Sequence, residues 1–232
     1  MCKDDQLSET DQSKTQIEEA LLKQLNPATA PSEFKRNKLI NEAARNWDIF
    51  YKRNTTNFFK DRHWTMREFP ELQETGHEEP NSKTSPSYNT ERCKGFLCDL
   101  TKDSLSDNVP IESLDIVSAI FMLSAVPPFK MAYVVENIKQ VLKPGGVILF
   151  RDYGLHDAAQ LRFKAENRID DCFYTRSDGT FSYYFSKEYF KNLFEPAGFE
   201  ILDCGYVTKE VVNRKQDMKM DRIFLQARLR KK

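Results

Sequence analysis

The chain has 232 residues, with 35 Lys or Arg against 35 Asp or Glu, and 40% of its residues are hydrophobic. This length suits one domain with appendages, and no stretch approaches the ~18 apolar residues of a membrane span. The five cysteines and three histidines include no Cys-x-x-Cys pair or zinc spacing, so we expect no metal site. Without a signal-peptide core, the odd cysteine count predicts reduced thiols, in the cytoplasm or, as a second candidate compartment, the nucleus.

Charge is distributed unevenly along the chain. Residues 35–68 carry nine Lys or Arg against four acids, and residues 207–232 carry nine against three, whereas residues 1–34 carry seven acids against three bases. Two basic segments on a neutral chain indicate a polyanionic partner. Charge alone favours the simpler interpretation, in which these residues are solvated helix faces and a charged tail.

The N-terminal third divides into a tail, a helical segment and a polar junction. Residues 1–34 are predicted to be a mostly disordered tail. Within residues 35–70, apolar residues recur at a spacing near 3.6 as far as Tyr51, which predicts an amphipathic helix. Aromatic and basic residues then alternate in "NTTNFFKDRHWTMREFPEL". Residues 71–92 are polar and include the single glycine Gly76.

The remainder of the chain, residues 93–232, has an α/β pattern. "GFLCDL" predicts a short strand that ends at Asp99, and "SLDIVSAIFMLSAV" predicts a central strand covered on both faces. "PFKMAYVVENIKQVLKPGG" predicts a helix that Pro-Gly-Gly stops, followed by the strand "VILFRDYG". A helix capped by Ser186 and closed at Gly198 precedes a terminal hairpin. This order predicts a mostly parallel, helix-covered sheet with one antiparallel edge.

The stretch "VLKPGGVILFRDYG" resembles the middle of a class I S-adenosylmethionine-dependent methyltransferase. Several further blocks, in this order, are similar to the tRNA N3-methylcytidine methyltransferases: "NWDIFYKRNTTNFFKDRHW", "ERCKGFLCDLTKD", "SLDIVSAIFMLSAV", "LRFK", "FYTRSDGT" and "YFS". The sequences of the first two blocks most resemble the members of this family that modify serine tRNAs. The resemblance spans about residues 37–230 and implies a Rossmann-like α/β sheet with a helical N-terminal extension.

The polar junction over residues 71–92 lies where this family has its cofactor loop. The family's sheet begins with a strand, a glycine-rich loop, a helix and a second strand, which ends in an acid that binds the cofactor ribose. A βαβ unit needs about 30 residues, and the junction offers about twenty polar ones. We therefore expect a sheet that lacks its first strand–helix units. An omitted exon and an error in the gene model both explain this, and both leave activity of the chain open.

The resemblance assigns five residues to S-adenosylmethionine, the expected cofactor. Trp47 and Tyr51 lie one helical turn apart and would form an aromatic wall, which also suits a sulfonium cation. Asp99 would accept from the adenine amino group, Leu100 would pack on the ring, and Ile120 would support the adenosine from below. The structural alternatives are core anchors for the aromatic pair, a turn cap for Asp99 and core packing for Ile120.

Catalysis requires little proton chemistry, because cytosine N3 carries no proton before attack. The enzyme must align N3 with the methyl group and support the cationic base that forms. Asp152 and Arg151 are the catalytic candidates, since they lie at the carboxyl end of a predicted parallel strand, where such sheets bind ligands. An Arg–Asp pair that only braces a loop is the alternative. Basic and aromatic side chains are expected to bind the tRNA phosphates and bases. These candidates are Lys52, Arg53, Lys60, Arg62, His63, Trp64 and Tyr153.

The leading functional prediction is transfer of a methyl group from S-adenosylmethionine to N3 of an anticodon-loop cytidine, in serine tRNA. Seryl-tRNA synthetase is a candidate protein partner. A second hypothesis is a catalytically inactive truncated isoform that binds tRNA or the synthetase. A third, a small-molecule methyltransferase, leaves "NFFKDRHW" unexplained.

Overall fold

The computed structural model describes residues 4–55, 64–72, 93–213 and 218–232. Its helices are α1 (Asp4–Lys23), α2 (Glu33–Asn41), α3 (Ala43–Asn54), α4 (Thr65–Glu68), α5 (Pro128–Val141), α6 (Ala158–Leu161) and α7 (Lys187–Phe194). Its strands are β1 (Leu114–Ile120), β2 (Leu142–Tyr153), β3 (Arg168–Asp170), β4 (Phe173–Thr175), β5 (Phe181–Tyr183), β6 (Phe199–Asn213) and β7 (Met218–Lys231).

The main sheet has four strands in the order β1-β2-β7-β6. β1 and β2 are parallel, with Ile116 opposite Val147, while β7 runs antiparallel to both β2 and β6. The predicted terminal hairpin is confirmed. The prediction of a mostly parallel sheet is wrong, because the described residues retain a single parallel pair in this sheet. Among those residues β1 pairs only with β2, so β1 is an edge strand.

The predicted strand "GFLCDL" is absent, since the described residues 93–99 contain no regular secondary structure. A strand forms only where a neighbouring strand accepts its backbone hydrogen bonds. In the parent fold the third strand pairs with the second, and the sequence has no residues for that neighbour. The side chain of Leu97 is correspondingly 96% exposed.

α5 and α7 cover one face of the main sheet. The inward side chains of α5 include Val134, Val135 and Ile138, and they share a core with Phe150 of β2. The rings of Phe150 and Phe190 lie 4.7 Å apart, and Phe190 anchors α7 to the sheet. Both predicted helices are confirmed, and the Ser186 side chain accepts from the Tyr189 amide at 3.0 Å as the predicted cap. α7 ends at Phe194, before the predicted close at Gly198.

The segment from Trp64 to Leu72 covers the opposite face of the sheet. Phe69 is fully buried there, and Glu71 forms an ion pair with Arg228 of β7 at 2.9 Å. Successive residues of a strand point to opposite faces. The side chains of β2 therefore alternate between the α5–α7 core and the layer formed by α4.

The N-terminal region differs from the predicted disordered tail. Helix α1 covers Asp4–Lys23, and Gln24 after it is 3% exposed. Gln24 donates to the Gln160 carbonyl at 2.8 Å and accepts from the Tyr174 hydroxyl at 2.8 Å. Because a buried polar side chain with satisfied hydrogen bonds fixes the chain around it, this contact holds the tail against β4. Sequence composition gives no sign of such a long-range contact.

A second, antiparallel sheet, β3-β4-β5, was not predicted. Its three strands have three residues each, below the length at which alternation is visible. The turn between β4 and β5 contains Asp178-Gly179, with Gly179 at φ 80°. An Asp-Gly pair between two β-prone runs is a hairpin signal, and it was the available clue in "FYTRSDGTFSY".

Candidate functional site

A cleft of about 1010 Å³ opens at the carboxyl ends of β1 and β2. α3 forms one wall, the segment from Cys98 to Lys102 forms another, and the start of β7 closes the floor beside Tyr153. The five residues predicted to bind the cofactor all line this cleft, together with Tyr153 from the predicted substrate set. These residues are Trp47, Tyr51, Asp99, Leu100, Ile120 and Tyr153.

The aromatic wall comes from α3. The rings of Trp47 and Tyr51 stack with centroids 5.7 Å apart and an interplanar angle of 29°. α3 is anchored by Asn46, whose side-chain amide donates to the Gly179 carbonyl at 3.1 Å. A Cβ on Gly179 would lie 2.8 Å from the Asn46 amide nitrogen, so this close approach requires glycine. Trp47 Nε1 is buried without a hydrogen-bond partner among the described residues, which leaves a donor for an acceptor on a ligand.

Asp99 lies at the rim of the cleft and also caps a turn. Its Oδ1 accepts from the Thr101 hydroxyl at 2.7 Å and the Thr101 amide at 3.0 Å, and Lys102 lies 3.3 Å from Oδ2. Burial raises the pKa of this carboxyl, but the hydrogen bonds from Thr101 and Lys102 outweigh it and hold the pKa below its ordinary value. The side chain is therefore ionised at neutral pH and can accept from an amino group of a base.

Tyr153 is surrounded by cationic and aromatic side chains that sequence reasoning missed. The Arg176 guanidinium lies 5.6 Å from the centroid of the Tyr153 ring, and the Arg222 guanidinium lies 5.7 Å from it. Phe121 and Phe224 contact the same ring at 5.3 and 6.3 Å. "FYTRSDGT" contains Arg176, so the family block pointed to it without a role. Arg222 is distant in sequence and gave no local signal.

Asp152, a predicted catalytic residue, is fully buried and is not among the lining residues of the cleft. Its two oxygens accept from the backbone amides of Ser124 and Tyr153, both at 2.9 Å. Ser124 does line the cleft, so Asp152 holds the segment after β1 in place from beneath. Burial raises the pKa of Asp152 to about 6, although these hydrogen bonds oppose the shift.

Arg151 faces away from Asp152, on the side of the sheet that α4 covers. Its guanidinium lies 4.1 Å from the Trp64 ring centroid and 5.1 Å from that of Phe224, and it donates to Gln226 at 3.1 Å. Arg151 is 6% exposed and does not line the cleft. Trp64 is half-buried, and one face of its ring is occupied by Arg151. Arg151 and Asp152 therefore have separate partners on opposite faces of the sheet and do not pair with each other.

The remaining predicted tRNA contacts fall in two groups. Lys52 and Arg53 are exposed on the last turn of α3, next to the cleft wall formed by Trp47 and Tyr51. Lys60, Arg62 and His63 lie outside the described residues.

Replacing Asp152 by Asn is expected to change how stability depends on pH. The folded-state pKa of about 6 exceeds the ordinary value of 3.8, so the folded state binds a proton more readily than the unfolded state. The stability contributed by this group is present below about pH 4 and is lost as the pH rises through about 6. Between pH 5 and pH 7 the parent should therefore lose about 1 kcal/mol relative to Asp152→Asn. Urea denaturation of both proteins at the two pH values measures this, and an unchanged difference would contradict the assignment.

In the part of the chain that the structure describes, no three His, Cys, Asp or Glu side chains are placed to hold a metal ion. Over the same residues, no helix combines the length and the apolar character that crossing a membrane requires.

Known proteins with similar sequences indicate which family this chain belongs to. Residues 26–203 match the family model described as a methyltransferase domain. The tRNA N(3)-cytidine methyltransferase METTL6 of Pongo abelii is 48% identical over 242 residues, covering 88% of this chain and 86% of the relative. The protein of that name from Homo sapiens is 47% identical, covering 88% of this chain and 85% of the relative. A solved S-adenosylmethionine-dependent methyltransferase from Methanosarcina mazei has a TM-score of 0.41 at 19% identity, covering 71% of this chain and 77% of that chain.

The length of the alignment with the human relative also implies that this chain has gaps. The alignment with the human relative runs over 242 residues, whereas 88% of 232 residues is about 204, so about 38 aligned positions have no residue here. A gap of this size agrees with the predicted absence of a strand–helix unit. The α/β methyltransferase fold is confirmed by the family match. The chain therefore belongs to the family of tRNA N3-cytidine methyltransferases.

Proposed function

We propose that this protein methylates N3 of a cytidine in the anticodon loop of serine tRNA, with S-adenosylmethionine as the methyl donor. The observation that carries the proposal is the cleft, in which all five residues assigned to the cofactor lie together with Tyr153. The names of the curated relatives, tRNA N(3)-cytidine methyltransferases, support the nucleoside and the type of RNA. The choice of serine tRNA as the substrate is supported by the amino-acid sequences of the blocks at residues 46–64 and 91–103.

The residues present fit the adenosine part of the cofactor. Asp99 would accept from the adenine amino group, Leu100 and Ile120 would hold the ring, and the unpartnered Trp47 Nε1 would donate to an acceptor. Among the described lining residues, Asp99 is the one carboxylate, so no second acid is present for the ribose. When bound, the cofactor supplies an electrophilic methyl group.

The chain's own residues position the acceptor base. Cytosine N3 has a free lone pair, so the site needs alignment and charge support without a general base. Tyr153 offers a ring for stacking, flanked by Phe121 and Phe224, and ring faces stabilise a cationic base by about 0.5–2 kcal/mol. Arg176 donates to the Tyr153 hydroxyl at 3.3 Å and holds that ring in place.

Methyl transfer to tRNA tests the function directly. Serine tRNA transcripts are incubated with labelled S-adenosylmethionine, and 3-methylcytidine is identified by mass spectrometry of the nucleosides. The proposal expects methylation that disappears when the target cytidine is replaced by uridine, and that Tyr153→Ala reduces strongly. Methylation of a different nucleoside, or of a threonine tRNA in preference, would contradict it.

Neutralising Lys52 and Arg53 is expected to weaken tRNA binding and to flatten its salt dependence. Both side chains are exposed at the end of α3, and each lost contact to a single-stranded phosphate removes about 0.7 from the slope of log affinity against log salt. Fluorescence anisotropy of Lys52→Gln/Arg53→Gln with serine tRNA at several salt concentrations should show a slope lower by about 1.4. Lys143→Gln/Lys164→Gln makes the same charge change away from the cleft and should retain the parent slope. Equal slopes for the parent and Lys52→Gln/Arg53→Gln would favour a solvated helix face.

The gap of about 38 aligned positions favours a second candidate function. In it the chain binds tRNA, or seryl-tRNA synthetase, without catalysis. Retained tRNA affinity with no methyl transfer would distinguish this function from the first. For either function we propose a cytoplasmic location, with the nucleus as a second compartment. A tRNA substrate supports this, as do the free thiols of Cys93, Cys98, Cys172 and Cys204.

A further inference from the structure

We infer that the cleft of this chain binds a phosphorylated nucleoside, with the base at Asp99 and the aromatic wall and the phosphate held by Lys130 and Arg176. The inference rests on the adenosine-binding role of the cleft under the proposed function. The inferred ligand differs from S-adenosylmethionine in its charge, because the side chains that line the cleft favour an anion.

The charges that line the cleft are unbalanced. Asp99 is the one acid among the described lining residues, against Lys102, Lys130, Arg176 and Arg222. Lys102 pairs with Asp99 at 3.3 Å, and Arg222 pairs with the buried Asp157 behind the cleft at 2.8 Å. Two of the four cations are thereby neutralised by carboxylates.

Lys130 and Arg176 have neutral hydrogen-bond partners in the described part of the chain. Lys130 Nζ donates to the Thr101 carbonyl at 3.4 Å, next to Asp99. Arg176 donates to the Tyr153 hydroxyl at 3.3 Å and to the Phe181 carbonyl at 3.2 Å, and it interacts with the buried Asp152 at longer range. Both side chains line the cleft.

The two candidate ligands respond to this imbalance to different extents. S-adenosylmethionine carries a sulfonium, an ammonium and a carboxylate; the carboxylate can pair with Lys130 or Arg176, but a ligand with a net positive charge gains less from these cations than an anion does. A nucleoside monophosphate carries about two negative charges, which the same side chains attract through charge-assisted hydrogen bonds. The stack of Trp47 and Tyr51 attracts a sulfonium, yet it also accepts the face of any base. The base needs an exocyclic amino group, because Asp99 is an acceptor.

Calorimetry with the purified chain and four small probes tests the inference. AMP should bind about tenfold or more tightly than adenosine, from one charge-assisted phosphate contact. AMP should also bind more tightly than S-adenosylmethionine, and inosine monophosphate, which lacks the amino group, should bind more weakly than AMP. Equal binding of adenosine and AMP, or tighter binding of S-adenosylmethionine than of AMP, would overturn the inference.

Variants locate the phosphate. Lys130→Gln/Arg176→Gln should reduce AMP affinity to that of adenosine, whereas the double variant Lys143→Gln/Lys164→Gln should retain the parent affinity. Arg176→Lys keeps the charge and should retain the preference for AMP. If the first double variant does not fold, Lys130→Gln alone should still weaken AMP several-fold, and an unchanged affinity would count against the site.

The same measurement separates two sources of this chemistry. Bound AMP is displaced either by a single-stranded adenylate pentamer or by further AMP. If the pentamer acts at the lower concentration, the ligand is an RNA strand; if it acts at the higher concentration, the ligand is a free nucleotide. Neither arm uses tRNA or methyl transfer. If the chain methylates tRNA but does not bind AMP more tightly than adenosine, this inference alone is overturned. If the chain prefers AMP but does not methylate tRNA, only the proposed function is contradicted.

Discussion

Inserting, between Leu72 and Cys93, the segment of the human relative that this chain is predicted to lack is expected to tighten S-adenosylmethionine binding by about 10- to 100-fold. The segment should add a ribose carboxylate, and a hydrogen bond to a charged group contributes roughly 1.5–3 kcal/mol. It should also supply backbone contacts to the methionine part of the cofactor. Isothermal titration calorimetry of the parent chain and the chimera measures both affinities.

The matched control is a Gly/Ser insertion of equal length, which lengthens the connection without adding ligands. This control should bind the cofactor as weakly as the parent. Micromolar binding of S-adenosylmethionine by the parent chain itself would refute the expectation, because it would mean that the adenosine-side residues suffice.

Replacing Asp157 by Ala should destabilise the protein by about 3–5 kcal/mol, because breaking a buried ion pair leaves one charge uncompensated. The Asp157 side chain has no exposed surface and accepts from Arg222 Nε at 2.8 Å and from the Ile223 amide at 2.8 Å. It also caps α6 through the Ala159 amide at 2.8 Å. Urea denaturation at pH 7 measures the loss.

Two further variants separate the ion pair from the cap. Asp157→Asn keeps an oxygen for the Ala159 amide and removes the charge, so it should cost less than Asp157→Ala. Adding Arg222→Met to Asp157→Ala removes the uncompensated cation, and the double variant should be more stable than the sum of the single losses predicts. Strict additivity would show that Asp157 acts through its hydrogen bonds to the Ala159 and Ile223 amides and gains nothing from Arg222.

Local patterns of the sequence predicted the elements that carry their own signal. The apolar spacing in residues 128–141 and the continuous apolar run ahead of Asp152 identified α5 and β2, because helix and strand periods are visible within one element. The assignment of Trp47 and Asp99 to the cofactor came from the family blocks. Their meeting in one cleft depends on Asn46 docking on Gly179, a contact across 133 residues that no local pattern encodes.

The differences have physical causes as well. "GFLCDL" has strand character, but it lacks a neighbouring strand to pair with, so tertiary context overrides its propensity. Arg151 and Asp152 were both predicted to be catalytic at the end of one strand, yet neighbours in a strand point to opposite faces. One is therefore stacked on Trp64 and the other is buried beneath Ser124. Period-two alternation alone would have separated them.

The position of β7 has a consequence for biosynthesis. β7 follows β2 and β6 in sequence but lies between them in the sheet, with Val147 opposite Arg230 and Phe199 opposite Lys231. Both flanking strands are therefore synthesised before β7, and the β7 residues that pair with β2 lie about 80 residues downstream of it. Until β7 leaves the ribosome, β2 and β6 each expose an unpaired strand edge, the condition in which nascent chains engage chaperones. A premature stop codon ahead of Phe224 would remove all the residues of β7 that pair with β2, and thereby the middle of the sheet rather than its edge.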